Sequence, residues 1–244
     1  MGRAFEFRKA RKLKRWSAMA KIFTRLGKDI SMSVKENGAD PESNSRLRAL
    51  IQNAKAANMP KDNIERAIKK ATEKNTENYK EIIFEGYAPH GIAVLIETAT
   101  DNNNRTVANI RSYFNKAGGN LSTSGSVEFM FEHLCNFRIS KNDLEIEKIE
   151  LEFIDYGVEE VFLDDNEIHL YASFDHFGII QRELENRNLK IISSGFERIP
   201  QSVKSLNYEQ QIAVLDLIEK IEDDMDVQNV YHSLDIKKTK SFLP

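Results

Sequence analysis

Several things are missing from this chain of 244 residues. No stretch approaches the ~20 consecutive apolar residues that a membrane helix needs. The N-terminus also lacks the ~7–15-residue apolar core of a secretory signal. The one cysteine, Cys135, cannot pair within the chain, so a reducing compartment is the expectation. Neither a phosphate loop nor a dinucleotide fingerprint is present, and the lone GG of "AGGN" reads as a helix stop. His90, His133, His169, His176 and His232 are scattered, with no helical i,i+4 pair and no cysteine cluster, which argues against zinc. Cys135 reads as an inert structural thiol rather than a nucleophile. The loops "DNNNRT" and "GYAPHG" could be imagined as an enzyme site, but neither supplies an acid–base pair or a nucleophile with its base. The carboxylates of "EKIEDDMD" (219–226) read as a solvated helix end sooner than a cation site.

The chain does have an uneven distribution of charge. Its composition, 41% hydrophobic and 30% charged, is that of a globular protein, and the net charge is only −3. Residues 1–74 nevertheless hold 19 Lys and Arg against 8 Asp and Glu, while the remainder holds 16 against 30. A basic head on an acidic body points to a polyanionic partner met mainly by the head.

Spacing sharpens that reading. On a helix at about 100° per residue, Met19, Phe23, Leu26, Ile30 and Val34 share one side, with Trp16 and Ala20 at its edge. Lys14, Lys21, Arg25, Lys28 and Lys35 form a stripe on the other. A solvated face would more often interleave Glu with Lys, because opposite charges at i,i+4 stabilise a helix. A mitochondrial transit peptide is also basic and amphipathic, but here the apolar face runs straight into folded-looking sequence. A nucleic-acid surface is the preferred reading and a solvated face the competitor.

The head continues as helices. After the turn "NGADPESN", Leu47, Leu50, Ile51, Ala54 and Ala57 follow helical spacing. Pro60 suits a first turn, and Ile64, Ala67, Ile68 and Ala71 make the next apolar face, with Arg66, Lys69 and Lys70 pointing away. "TEKNTEN" reads as a linker, so residues 1–74 form a basic all-helical domain.

The body alternates. "IAVLIETA" (92–99) is a strand, "DNNNRT" caps a helix through about 116 with apolar Val107, Ile110 and Phe114, and "SVEFMFEH" (126–133) reads as the next strand. A similar unit follows: "EIHLYAS" (167–173), a helix over 175–187 and "KIISSGFERI" (190–199), preceded by a helix over about 145–156. A last helix over 208–222 carries Ile212, Leu215, Ile218 and Ile221. The pattern predicts an α+β multidomain protein with two ferredoxin-like modules after the all-α head.

The blocks "RKARKLKRWSAMAKIFTRLGKDI", "GADPESNSRLRALIQNAKAANMPKDNIERAIKKA", "FEGYAPHGIAVLIET", "DNNNRTVANIRSYFNKAGGNL" and "GSVEFMFE", in this order, resemble the YebC/PmpR (TACO1-like) family. They cover residues 2 to about 133 densely; the rest is similar in layout. The resemblance implies three domains, with the third inserted in the second: 1–74, 80–133 plus 205–244, and 134–204. It also implies a cytoplasmic, non-enzymatic protein without a cofactor. Bacterial members are probable DNA-binding transcriptional regulators, other members, including a mitochondrial translational activator, act in translation, and a role at ribosomes stalled on proline-rich sequence is attributed to bacterial ones. The family start resembles "GHSKWANIKH", and this chain departs from it with "GRAFEFRKAR" and its single tryptophan at position 16.

The combined expectation is a non-enzymatic regulator that binds nucleic acid through its head. Lys14, Lys21, Arg25 and Lys28 would neutralise phosphates, and Arg46, Arg48, Arg66, Lys69 and Lys70 would widen the footprint. DNA is the first-choice partner; ribosomal RNA and the ribosome are the alternative. No membrane or small-molecule substrate is expected.

Overall fold

A computed structural model describes residues 3–73, 78–142 and 144–236, with side chains from residue 19 onward. The head consists of α1 (Arg3–Asn37), α2 (Ser45–Ala56) and α3 (Lys61–Thr72). Then come β1 (Lys80–Ala88), β2 (Ile92–Thr100), α4 (Asn103–Ala117) and the short β3 (Asn120–Leu121). A further run gives β4 (Phe131–Ser140), α5 (Ile146–Phe153), β5 (Val158–Asp164), β6 (Glu167–Ser173), α6 (Phe177–Asn186) and β7 (Ile191–Pro200). The chain closes with α7 (Tyr208–Glu222) and β8 (Val227–His232). These elements fall into two compact units, one of residues 1–77 with 134–197, the other of 78–133 with 198–244.

In the first unit the three head helices share a core of Ile30, Val34, Leu47, Ala54, Met59, Ile64 and Ala71, with Phe23, Leu26, Leu50 and Ile51 packed against it. The apolar spacing groups all of these residues except Met59, and the structure brings them together. Asn44 fixes the corner between α1 and α2. Its buried side chain accepts from the Leu47 N–H as the α2 cap and donates to the Ser33 and Gly38 carbonyls, each at 2.9 Å. In the same unit, β4 to β7 form a four-stranded sheet of order β5-β6-β4-β7. Its core joins Phe137, Ile139, Ile168 and Leu170 to Ile149 and Phe153 of α5 and Ile180 and Leu184 of α6. The Asn53 side chain pairs with the Ser194 backbone, donating to its carbonyl and accepting from its N–H, and so joins α2 to β7.

The second unit holds the sheet β3-β1-β2-β8. Its strand order differs from the other sheet's, because here two consecutive strands, β1 and β2, pair at the centre. One face of β2 packs Val94 and Ile96 against Ile110 and Phe114 of α4 and Val214, Leu217, Ile218 and Ile221 of α7. On the other face, Ala93 and Leu95 meet Val127 and Phe131. Burial on both faces explains the unbroken apolar run of "IAVLI". Gly86 and Gly119 let β1 and β3 approach closely: a Cβ at either would stand 2.6 Å from a backbone oxygen.

Three sequence readings need correction. The strand placed at 126–133 begins only at Phe131 and extends to Ser140. The residues before it form a turn that packs Val127 beneath the sheet, so their apolar character reflects burial without strand pairing. On α7 the buried arc is Val214, Leu217, Ile218 and Ile221, whereas Ile212 and Leu215 are 42% and 36% exposed. Apolar residues surround this helix, and α4 covers only one arc of them. The carboxylates after α7 are not simply solvated, since Asp226 is buried.

The turn after β3 is held by Glu85, which is 2% exposed. Its carboxylate accepts from the backbone N–H groups of Gly125, Val127 and Glu128 at 2.6, 2.7 and 2.8 Å. Burial pushes this carboxyl up, but the backbone donors outweigh it and hold the group below its usual range. The resulting stability is present above the ordinary carboxylate pKa and is lost as pH falls through the lowered one. Glu85→Gln should therefore cost about 2–3 kcal/mol near neutral pH and should lose less stability than the parent on acidification. Urea unfolding across that range measures both, and a variant as stable as the parent throughout would contradict the assignment.

Candidate nucleic-acid interface

The geometry of the head decides which cations can reach a partner. On α3, Ile64 and Ala71 are buried and Ala67 and Ile68 half-buried. Arg66, Lys69 and Lys70 lie on the opposite side and are exposed. Lys69 and Lys70 also occupy the last turn, where positive charge complements the helix dipole. Lys21 and Lys35 of α1 are exposed and Arg25 is half-buried. Lys14 lies among the residues whose side chains are outside the description.

Other predicted phosphate contacts are placed differently. Lys28 is buried, only 7% exposed, although its spacing put it on the open stripe. Met32, one turn on and on the same side of α1, is 4% exposed. The second half of α1 is thus enclosed on more than its main apolar face, and the aliphatic part of a lysine suits such a site. Arg48 forms a fork with Glu185 of α6, donating from Nε at 2.8 Å and from Nη2 at 3.0 Å. Its Nη1 donates to the Pro41 carbonyl at 2.6 Å. The hydrogen bonds to Glu185 raise its pKa against the opposing effect of desolvation. Arg46 is paired with Glu36 at 3.0 Å, with both side chains largely in solvent. Arg48 therefore joins the head to the β4–β7 module, and the basic surface is narrower than the sequence implied.

The loop "DNNNRT" of the second unit is tied into the fold. Arg105 of "DNNNRT" donates to both oxygens of buried Asp226, at 2.7 and 2.9 Å from Nη2, and to Asp101 at 2.8 Å. The Thr106 hydroxyl donates to the same Asp226 at 2.9 Å. Asn109 and Tyr113 donate to Asp224, each at 3.0 Å. Burial, together with that bond to Asp224, pushes the Tyr113 phenol up to about 12. The start of α4 is thereby tied to the turn before β8. Among the described residues, no group of three or more His, Cys, Asp or Glu could hold a metal ion. Cys135 is buried, and desolvation raises its thiol to about 11, far from a thiolate at neutral pH. No described helix is long and apolar enough to cross a membrane.

Comparison with known proteins adds to this geometry. Residues 3–74 match the model of the TACO1/YebC protein N-terminal domain, and residues 79–234 that of the TACO1/YebC second and third domain. A probable transcriptional regulatory protein of Flavobacterium johnsoniae is 70% identical over 96% of this chain and 99% of its own length. One from Porphyromonas gingivalis, also called a probable transcriptional regulatory protein, is 57% identical over 96% and 97%. Among solved structures, a conserved hypothetical protein from Aquifex aeolicus is 34% identical, covers 92% of this chain and 93% of its own, and gives a TM-score of 0.76.

The placement of Arg48 yields a direct check. A double-mutant cycle of Arg48→Ala and Glu185→Ala, read by chemical denaturation, should give a coupling of about 1 kcal/mol, because the pair is forked and only part-exposed. Additive effects of the two single changes would mean that Arg48 is not held by Glu185 in solution.

Proposed function

We propose, from the premise that this chain belongs to the TACO1/YebC family, that it is a non-enzymatic regulator of gene expression that binds DNA through its helical head. The observation that carries this reading is the outer face of α3, where Arg66, Lys69 and Lys70 stand exposed opposite the buried side. Lys21 and Lys35 of α1 are exposed as well. The names of the relatives support an action on transcription. In this reading the protein works in the cytoplasm without a cofactor. Residues 1–74 form the binding domain, and 134–204 form a ferredoxin-like domain inserted in a second α+β domain. Cations on a helix face neutralise phosphates and orient the protein, but they carry little sequence information. The same surface would accept ribosomal RNA, which makes the identity of the bound strand the decisive observable.

Crosslinking in cells followed by sequencing of the recovered strands reads that identity. Promoter DNA should be enriched with the parent protein and lost with the Arg66→Ala, Lys69→Ala, Lys70→Ala variant. Recovery of ribosomal RNA in place of DNA would overturn the transcriptional reading in favour of translation. Equal recovery with parent and variant would overturn the role of α3.

A further inference from the structure

The β4–β7 module covers its sheet on one side only. Ile168, Leu170 and Ala172 of β6 and Phe137 and Ile139 of β4 face α5 and α6. Antiparallel register then fixes the other side. His169 lies opposite Phe162 of β5 and Arg138 of β4; Tyr171 lies opposite Glu160 and Asn136. Directly opposed residues share a face, so these side chains form the lattice of the open side. No helix of the module packs on it.

Two properties of this face point to one kind of partner. The first is an aromatic platform. The Phe162 ring stacks on His169 with centroids 4.9 Å apart and 10° between planes, and on Tyr171 at 5.9 Å and 14°. Phe162 is 38% exposed, so the platform has an open surface. The second is negative charge. Glu160 and Asp164 of β5 are exposed beside the rings, and Tyr171 donates to Glu197 of β7 at 3.3 Å. The one arginine of the lattice, Arg138, is matched by Glu167 at 3.1 Å. Burial raises the Tyr171 phenol first, and the charges of Glu197 and Glu160 raise it further, in keeping with a negative field over the face.

Base stacking on an open sheet is a known way to hold single-stranded RNA, but the phosphates would here meet unmatched carboxylates. A purely apolar partner would strand the same carboxylates without counter-charge. A guanidinium group satisfies both features, because it stacks on aromatic faces and forks onto carboxylates. We propose that this sheet face docks an arginine-rich peptide segment of a partner protein, with guanidinium groups over Phe162 and Tyr171 and paired to Glu160 and Asp164. The proposal is independent of nucleic-acid binding by the head.

The test is fluorescence anisotropy on the full chain with labelled hexa-arginine, hexalysine and a twelve-nucleotide oligouridine. Hexa-arginine should bind several-fold more tightly than hexalysine, which cannot stack in the same way. The shape-preserving pair Glu160→Gln and Asp164→Asn should weaken hexa-arginine binding about tenfold, and so should Phe162→Ala. Glu147→Gln with Glu150→Gln, the same charge change on exposed positions of α5, should leave it unaltered. Equal weakening by that control pair would reduce the effect to general acidity and overturn the proposal. So would absence of hexa-arginine binding to the parent. Oligouridine binding that disappears in Phe162→Ala would instead make the face a nucleic-acid platform, again overturning it. Unchanged melting temperatures for the charge variants keep each reading free of folding effects.

Discussion

Burial of Ile64 and Ala71 in the core of the head decides where every cation of α3 can go. A helix that commits one side to a core has no freedom left for the other. With Ile64, Ala67, Ile68 and Ala71 inward, Arg66, Lys69 and Lys70 must face solvent. Packing of α1 and α2 on the same core, with the corner pinned by Asn44, gives that face a rigid base. The polar surface is thus a consequence of the apolar one.

Charge on this chain serves three different ends. Cations on the outer face of α3 are exposed to solvent. Arg48 and Arg105 are each held by a carboxylate in a forked pair, Arg48 at Glu185 and Arg105 at Asp226. Glu85 serves as an internal staple, its buried charge offset by backbone donors of the turn that it fixes. Glu85, Arg105 and the turn donors Gly125, Val127 and Glu128 fall in the blocks "FEGYAPHG", "DNNNRT" and "GSVEFMFE". These residues bond within the fold, and among the described residues none of these blocks contributes to a metal-binding group.

Much of the architecture could be read from the residues. The head's apolar spacing identified its core, and Asn102 caps α4 as the "DNNNRT" pattern indicated. What spacing could not convey was which of several apolar arcs finds a neighbour. Ile212 and Leu215 are as apolar as Val214 and Leu217, and only packing against α4 and the sheet separates them. Strand β1 escaped notice because "KEIIFEGYA" mixes charge with apolar residues; its buried Glu85 mimics a surface position. Lys28 and Arg48 were misplaced for the same reason. A lysine with a buried stem and an arginine paired far along the chain look identical in sequence to free surface cations. The stacked rings of β5 and β6 left a faint mark, the alternation of His169 and Tyr171 in "EIHLYAS", which gains meaning only when register brings Phe162 beside them.

The outer face of α3 is proposed to neutralise phosphates. Its most direct measurement is the slope of log affinity against log salt for duplex DNA, since each neutralised phosphate releases counterions and contributes about −0.9 to that slope. Comparing the parent with the Arg66→Ala, Lys69→Ala, Lys70→Ala variant isolates this face, because exposed substitutions of this kind change folding stability by no more than about 0.5 kcal/mol per site. The variant should bind more weakly, with a slope flattened by roughly one for each phosphate left without its cation, alike for unrelated sequences. A folded variant with the parent's affinity and the parent's slope would contradict it.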